Sequence, residues 1–141
     1  MTPKKRVVMG FKNNLKVEKI GDQDYILLDD LVYENNALII TVKSGFWFDA
    51  ISIPKIFWTL IDSPFTGKAV RAATIHDGLY ASQALPRADC DKIFLECMEC
   101  DGVSYFKRYA MYQAVRLGGR KAYENTEDLE HYKNLVKVVR K

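Results

Sequence analysis

Long apolar runs are missing from this chain, and histidine is scarce. Apolar stretches such as Ala37 to Ile40 fall far short of the roughly 20 residues that cross a bilayer. No membrane-spanning helix is expected. No apolar leader core follows Lys4-Lys5-Arg6, so a cytoplasmic product is expected. Only His76 and His131 are present, which leaves little for sites built on several imidazoles. The three cysteines are an odd number and argue against a disulfide framework. No Pro/Gly/Ser-rich linker, internal repeat or low-complexity run divides the 141 residues. One ordinary domain with a real core is the simplest organisation. The phosphate-loop pattern and the Gly-x-Ser-x-Gly elbow are both absent, so neither form of catalysis has its usual frame.

The formal charge of +3 hides an asymmetry. Residues 1–20 carry six Lys/Arg against Glu18, and residues 129–141 carry four against Glu130. Both ends are basic, and the middle is mildly acidic. Basic ends grip nucleic acid or acidic protein surfaces, or simply keep a chain soluble. Lys107, Arg108, Arg116, Arg120 and Lys121 cluster late in the chain. Without a nucleic-acid-binding motif or a basic body, nucleic acid is not an expected partner.

The three cysteines, Cys90, Cys97 and Cys100, fall in one segment. Cys97-Met98-Glu99-Cys100 has the spacing of a metal or redox pair, but few further soft ligands remain. Cys90, Ile93, Phe94 and Cys97 share one helical stripe. Buried, core-packed thiols are the expectation.

The first half reads as strands. Lys16–Ile20, Tyr25–Leu28, Leu31–Tyr33 and Leu38–Lys43 are rich in Val, Ile, Leu and Tyr. The turn formers Gly21-Asp22 and Glu34-Asn35-Asn36 separate them. The second half reads as helices: a short one after Pro54, then Gly67–Tyr80, then one from Pro86 to Asp101 stopped by Gly102. Another runs from Tyr105 to about Leu117, capped by Ser104. A last one is expected over Thr126–Val139, with Leu129, Tyr132, Val136 and Val139 on one stripe. N-terminal antiparallel strands followed by a C-terminal cluster of three to five helices make an α+β fold. The expected division is a basic N-terminal tail over 1–14, a globular α+β domain over 15–123 and a helical tail over 124–141.

Two polar clusters interrupt the apolar pattern. Asp49 and Ser52 lie inside the run Phe46 to Trp58, where strand patterning gives way to helix patterning. His76-Asp77-Gly78-Leu79-Tyr80 and Arg87-Ala88-Asp89 follow. Apolar junctions with a few convergent polar groups are where sites are commonly built. If the groups converge, Asp49, His76, Asp77 and Asp89 are the catalytic candidates, supported by Ser52, Trp58, Tyr80 and Arg87. His76, Asp49 and Asp89 form a mixed nitrogen and oxygen set of the kind that holds zinc or manganese. A bound metal would supply a nucleophilic water. His76 and Asp77 are adjacent on a helix, so their side chains diverge by about a hundred degrees. At most one of them can face the same way as Asp89. Each residue also has a purely structural role open to it. Asp49 or Ser52 can cap a helix, His76 can pack while bonded to a carboxylate, and Asp77 can pair with Arg71 or Arg87. Asp89 can favour the helix dipole in a first turn. Tyr80 and Trp58 can be core-edge aromatics.

Motif order adds a resemblance. Gly45-Phe46-x-x-Asp49-x-x-Ser52-Ile53-Pro54-x-x-x-Trp58 is followed by His76-Asp77-x-x-Tyr80 and by Arg87-Ala88-Asp89. Met111-Tyr112-x-Ala114-Val115-Arg116-x-Gly118 closes the series. The whole, over roughly residues 15–120, resembles a small phage and prophage family catalogued as domain of unknown function 1353. The family's opening reads Gly-Phe-x-Thr-Asp-Gly-Ala-Ser-Ile-Pro. Here Phe48 stands in place of the Thr, and Ala50-Ile51 in place of Gly-Ala. Position 48 therefore has no hydroxyl to donate. The resemblance implies a phage origin and a polar pocket, not a reaction. The expectation that follows is a virion- or tail-associated structural or interaction protein, made in the host cytoplasm and carried into the virion. Other phage structural proteins, or further copies of the chain, would be its partners. The alternative is a metal-dependent hydrolase, of a peptidoglycan peptidase-like kind, using the Asp/His/Asp cluster.

Overall fold

The computed structural model describes residues 9–22, 24–49 and 68–141, with the backbone alone described at Asp49. Strands come first: β1 (Gly10–Phe11), β2 (Val17–Lys19), β3 (Asp24–Leu27), β4 (Leu31–Glu34), β5 (Leu38–Val42) and β6 (Trp47–Asp49). Helices follow: α1 (Val70–Ser82), α2 (Arg87–Cys100), α3 (Tyr105–Gly118), α4 (Arg120–Glu124) and α5 (Leu129–Lys133). A seventh strand, β7 (Val136–Arg140), closes the chain. The fold is α+β. No helix among the described residues is long and apolar enough to cross a membrane.

Two antiparallel sheets result. One has the order β1-β4-β5-β7, and the other β2-β3-β6. The larger sheet grows from the β4–β5 hairpin. Asn35 makes its turn: the side-chain oxygen accepts the N–H groups of Ala37 at 2.9 Å and Leu38 at 2.8 Å, a local bond that suits Asn to turns. Leu31, Tyr33, Leu38, Ile40 and Val42 alternate along the two strands and are all buried. That is the period-two signature of a sheet with one covered face.

The ladder continues where the sequence pattern pointed to helix. The helix expected over Thr126–Val139 is confined to α5, and β7 pairs antiparallel with β5, Leu38 opposite Arg140 and Val42 opposite Val136. The last residues are thus part of the main sheet. β-branched Val136, Val138 and Val139 suit a pleated surface, and β5 offers them an otherwise open edge. Lys141 donates its backbone N–H to Ala37 and its ammonium to Glu34.

Helix α1 covers the larger sheet, and Gly78 sets how closely it lies. A Cβ at position 78 would come within 2.8 Å of Val42 Cγ2 and 3.4 Å of Val136 Cγ2. Helix α2 packs beside α1 through Cys90, Ile93, Phe94, Cys97 and Met98, all buried. Cys90 and Cys97 are core residues, and all three thiols are free. Gly102 ends this helix with a positive φ of 79°. Val103 then donates its N–H to the Met98 carbonyl at 2.9 Å, the bonding of a Schellman stop. Arg71 clips the end of α2 to α1 through Asp101 and donates to the Asn13 carbonyl.

Gly78→Ala should therefore weaken the fold despite the better helix propensity of alanine. The expected loss is about 1–3 kcal/mol, the usual cost of overpacking, read from urea unfolding. An unchanged midpoint would mean that α1 can lift from the sheet at no cost.

Candidate functional site

A single carboxylate gathers three helices. Asp91, on α2, is fully buried. Its Oδ1 lies 2.8 Å from His76 Nε2 and accepts the Tyr80 hydroxyl at 2.6 Å, both from α1. Its Oδ2 accepts Arg116 Nη1 at 2.7 Å, from α3. Arg87, one turn before Asp91, brings its Nε to 4.0 Å from Oδ2. Arg87 Nη2 also donates to the Val115 and Arg116 carbonyls at 2.8 and 2.6 Å, at the end of α3 where the Val115 carbonyl accepts the Gly119 N–H as well. The His76 ring lies 4.1 Å from Tyr80 and 4.7 Å from Phe94 between ring centroids.

Electrostatics follow from this geometry. Burial alone would raise the Asp91 carboxyl. The hydrogen bonds from His76, Tyr80 and Arg116 outweigh it and hold the group below the ordinary carboxylate range. An ionised Asp91 fixes the imidazole as the tautomer that donates from Nε2. Burial, followed by the bond to Asp91, pushes the Tyr80 hydroxyl upward. Both oxygens of Asp91 are engaged, while Arg87 Nε beside them is buried without a hydrogen-bond partner.

Asp77 behaves oppositely. It lies one residue after His76 and points elsewhere, into a cavity of about 330 Å³. Phe46, Trp47, Phe48, Tyr80, Glu127 and Tyr132 are among its walls. Burial pushes the Asp77 carboxyl from an ordinary 3.8 up to about 6, with the neighbouring His76 pulling it back only in part. Among the described residues it has no ion-pair partner. Arg71 is engaged by Asp101, and Arg87 by Asp91 and the α3 carbonyls. Neither of the pairings open to Asp77 in the sequence is made.

The structure thus brings His76, Tyr80 and Arg87 together, around a residue the sequence reading passed over. Asp89 is exposed in the first turn of α2. It precedes Asp91 by two positions, so the two side chains leave the helix about 200° apart. Asp91 faces His76, and Asp89 faces away. The backbone of Asp49 pairs with Asp24 in the smaller sheet. Its side chain, Ser52, Trp58 and the helix expected after Pro54 lie outside the described residues. Among the described residues no three of His, Cys, Asp and Glu approach closely enough to hold a metal ion. The signal for Asp91 was available: it shares a helical face with Phe94 and Met98, three and seven positions on. A charge inside an apolar stripe is a buried ion in need of partners.

A family model described as "Protein of unknown function (DUF1353)" matches residues 25–115. The chain belongs to that family. A relative from Sinorhizobium fredii (strain NBRC 101917 / NGR234), described as "Uncharacterized protein y4jT", is 36% identical over 84 residues. The match covers 60% of this chain and 25% of the relative, so it spans about a quarter of that protein's length. No solved structure matches the chain. In this DUF1353 member the matched stretch includes α1, α2 and most of α3, and with them His76, Tyr80, Arg87 and Asp91, while Arg116 lies one residue beyond it.

Two outcomes separate the carboxylates. Asp91→Ala should cost about 3–5 kcal/mol, as breaking a buried ion pair does, while Asp89→Ala should stay within about 0.5 kcal/mol of the parent. Urea titration measures both, and equal effects would refute the assignment of Asp91 as the hub. For Asp77, a raised folded value means that the folded chain holds the proton more tightly than the unfolded chain. The associated stability is full below pH 3.8 and is lost as pH climbs through about 6. Asp77→Asn should stabilise the fold at neutral pH by about 1–2 kcal/mol, after allowance for partial exposure. That gain should vanish in acid below the ordinary carboxylate value, which melts at two pH values will test.

Proposed function

We propose that this chain is an interaction protein of a phage particle, a rigid α+β body that presents the outer face of α3 to a neighbouring subunit. The observation that carries this reading is a strip of exposed aromatics. Tyr105 is 68% exposed, Phe106 77% and Leu117 86%. Tyr105 and Tyr109 lie 4.6 Å apart between ring centroids, and Tyr109 and Tyr112 lie 6.5 Å apart. Arg108 sits over the rings of Tyr105 and Tyr109 at 5.3 and 5.8 Å. Contiguous aromatic surface of this kind is uncommon on a monomer, and aromatics with arginine are enriched where proteins meet.

The helix has no acidic residue, and with Arg116 committed to Asp91 on the inner side it carries Lys107 and Arg108 toward the outside. An acidic protein surface with an apolar centre is the partner it fits. The motif order noted in the sequence supports the phage setting. The Asp91 network supports a body built for rigidity, since a buried carboxylate bonded at both oxygens by two different helices favours one arrangement. The metal-dependent hydrolase alternative gains no supporting observation among the described residues.

Phe106→Asp tests the reading. The exposed position should leave stability within about 0.5 kcal/mol of the parent. The variant chain should be depleted from purified particles by about tenfold or more, the scale of one interface anchor. Absence of the parent chain from particles would overturn the proposal. So would a homodimer in solution that Phe106→Asp dissolves, because the face would then be covered by a second copy.

A further inference from the structure

The cavity beneath Trp47 is unrelated to the α3 face and has its own chemistry. Strand β6 supplies one wall, α1 another, and the stretch from α4 to α5 the rest. Its volume of about 330 Å³ falls at the small end of ligand pockets. Aromatic rings dominate the walls. Phe46 meets Tyr132 edge-on at 5.6 Å and stacks with Phe48 at 6.0 Å. Trp47, beside them, is half-exposed. The charged groups described in the lining are Asp77 and Glu127, both acids, with no lysine or arginine.

This combination selects a ligand class. Among the described residues, an anion would meet two carboxylates with no counter-charge. A neutral apolar ligand would leave Asp77 desolvated and unpaired, an arrangement that costs free energy. A cation relieves both problems: it pairs with the carboxylate, and aromatic faces attract it through their quadrupoles. We propose that this cavity binds an organic ammonium group, supplied by a free alkylamine or by the lysine side chain of a partner. Asp77 is its counter-ion, Glu127 the second acid at the cavity wall, and Trp47 and Tyr132 its aromatic walls. The observation that Arg71 and Arg87 are engaged elsewhere supports this assignment, because neither basic side chain of the neighbouring helices fills the role from within.

Calorimetric titration of the intact chain tests it with four probes in mildly alkaline buffer: n-butylammonium and its neutral isostere n-butanol, then Nα-acetyl-lysine methylamide and the norleucine analogue. Each ammonium should bind at least about tenfold more tightly than its neutral counterpart, the worth of one desolvated cation contact. Asp77→Asn, expected to fold at least as well as the parent, should abolish that preference, and Glu127→Gln should reduce it. Tighter binding of the lysine amide than of butylammonium identifies a peptide source, and equal binding a free amine. Equal affinity for cation and isostere overturns the proposal, as does a preference that survives Asp77→Asn. Failure of all four probes to bind at millimolar concentration overturns it as well.

Discussion

One buried carboxylate organises the helical half of this protein. Asp91 has no contact with solvent, and an isolated ion there would cost several kcal/mol. Donors from α1 and α3 meet that demand: His76 and Tyr80 on one oxygen, Arg116 on the other. Because the bonds run in different directions, they fix the rotation of α1 and α3 against α2 as well as their separation. Apolar packing alone tolerates sliding, whereas a carboxylate with three short bonds does not. Arg87 extends the constraint by holding the last carbonyls of α3.

That constraint explains how neighbouring residues reach different places. His76 is committed to the helical interface, so the next residue on α1, Asp77, must face another way, and it faces the aromatic cavity. The phase of α1 is set further by Gly78, which turns its bare side toward Val42 and Val136 on the sheet. Three consecutive residues therefore serve three neighbours: α2, the cavity and the main sheet. On α3, commitment of Arg116 to Asp91 and burial of Met111 and Val115 define the inner side. The tyrosines and Phe106 are left outside, with Arg108 lying across them.

The two sheets were legible in the sequence only in part, since β1 and β6 are too short to carry a pattern. Strands β2 to β5 announce themselves by β-rich composition and turn residues, since both signals are local. The stop at Gly102 was legible for the same reason. β7 was not, because Leu129, Tyr132, Val136 and Val139 satisfy a helical stripe as well as a strand does. The open edge of β5 decides between them, and a local pattern contains no information about a partner about 100 residues away. The site was legible in composition more than in geometry. His76, Tyr80 and Arg87 do converge, and the acid they meet is Asp91, two positions beyond the Asp89 of the Arg87-Ala88-Asp89 string. Helical phase, read from Phe94 and Met98, favours Asp91 over Asp89 as the inward residue.

The half-buried Asp77 of α1 and the buried Asp91 of α2 sharpen the functional question. Asp91 is lowered by its bonds and contributes to stability as an anion at neutral pH. Asp77 is raised by burial and opposes stability under the same conditions. Folding accounts for the first and not for the second, since an amide or an apolar residue at position 77 would serve the fold better. Groups that oppose stability are commonly those a binding or reacting site requires. The carboxylate that the fold does not need is the one facing open space and aromatic walls. The asymmetry therefore separates a residue that builds the body from one that the body carries toward a ligand.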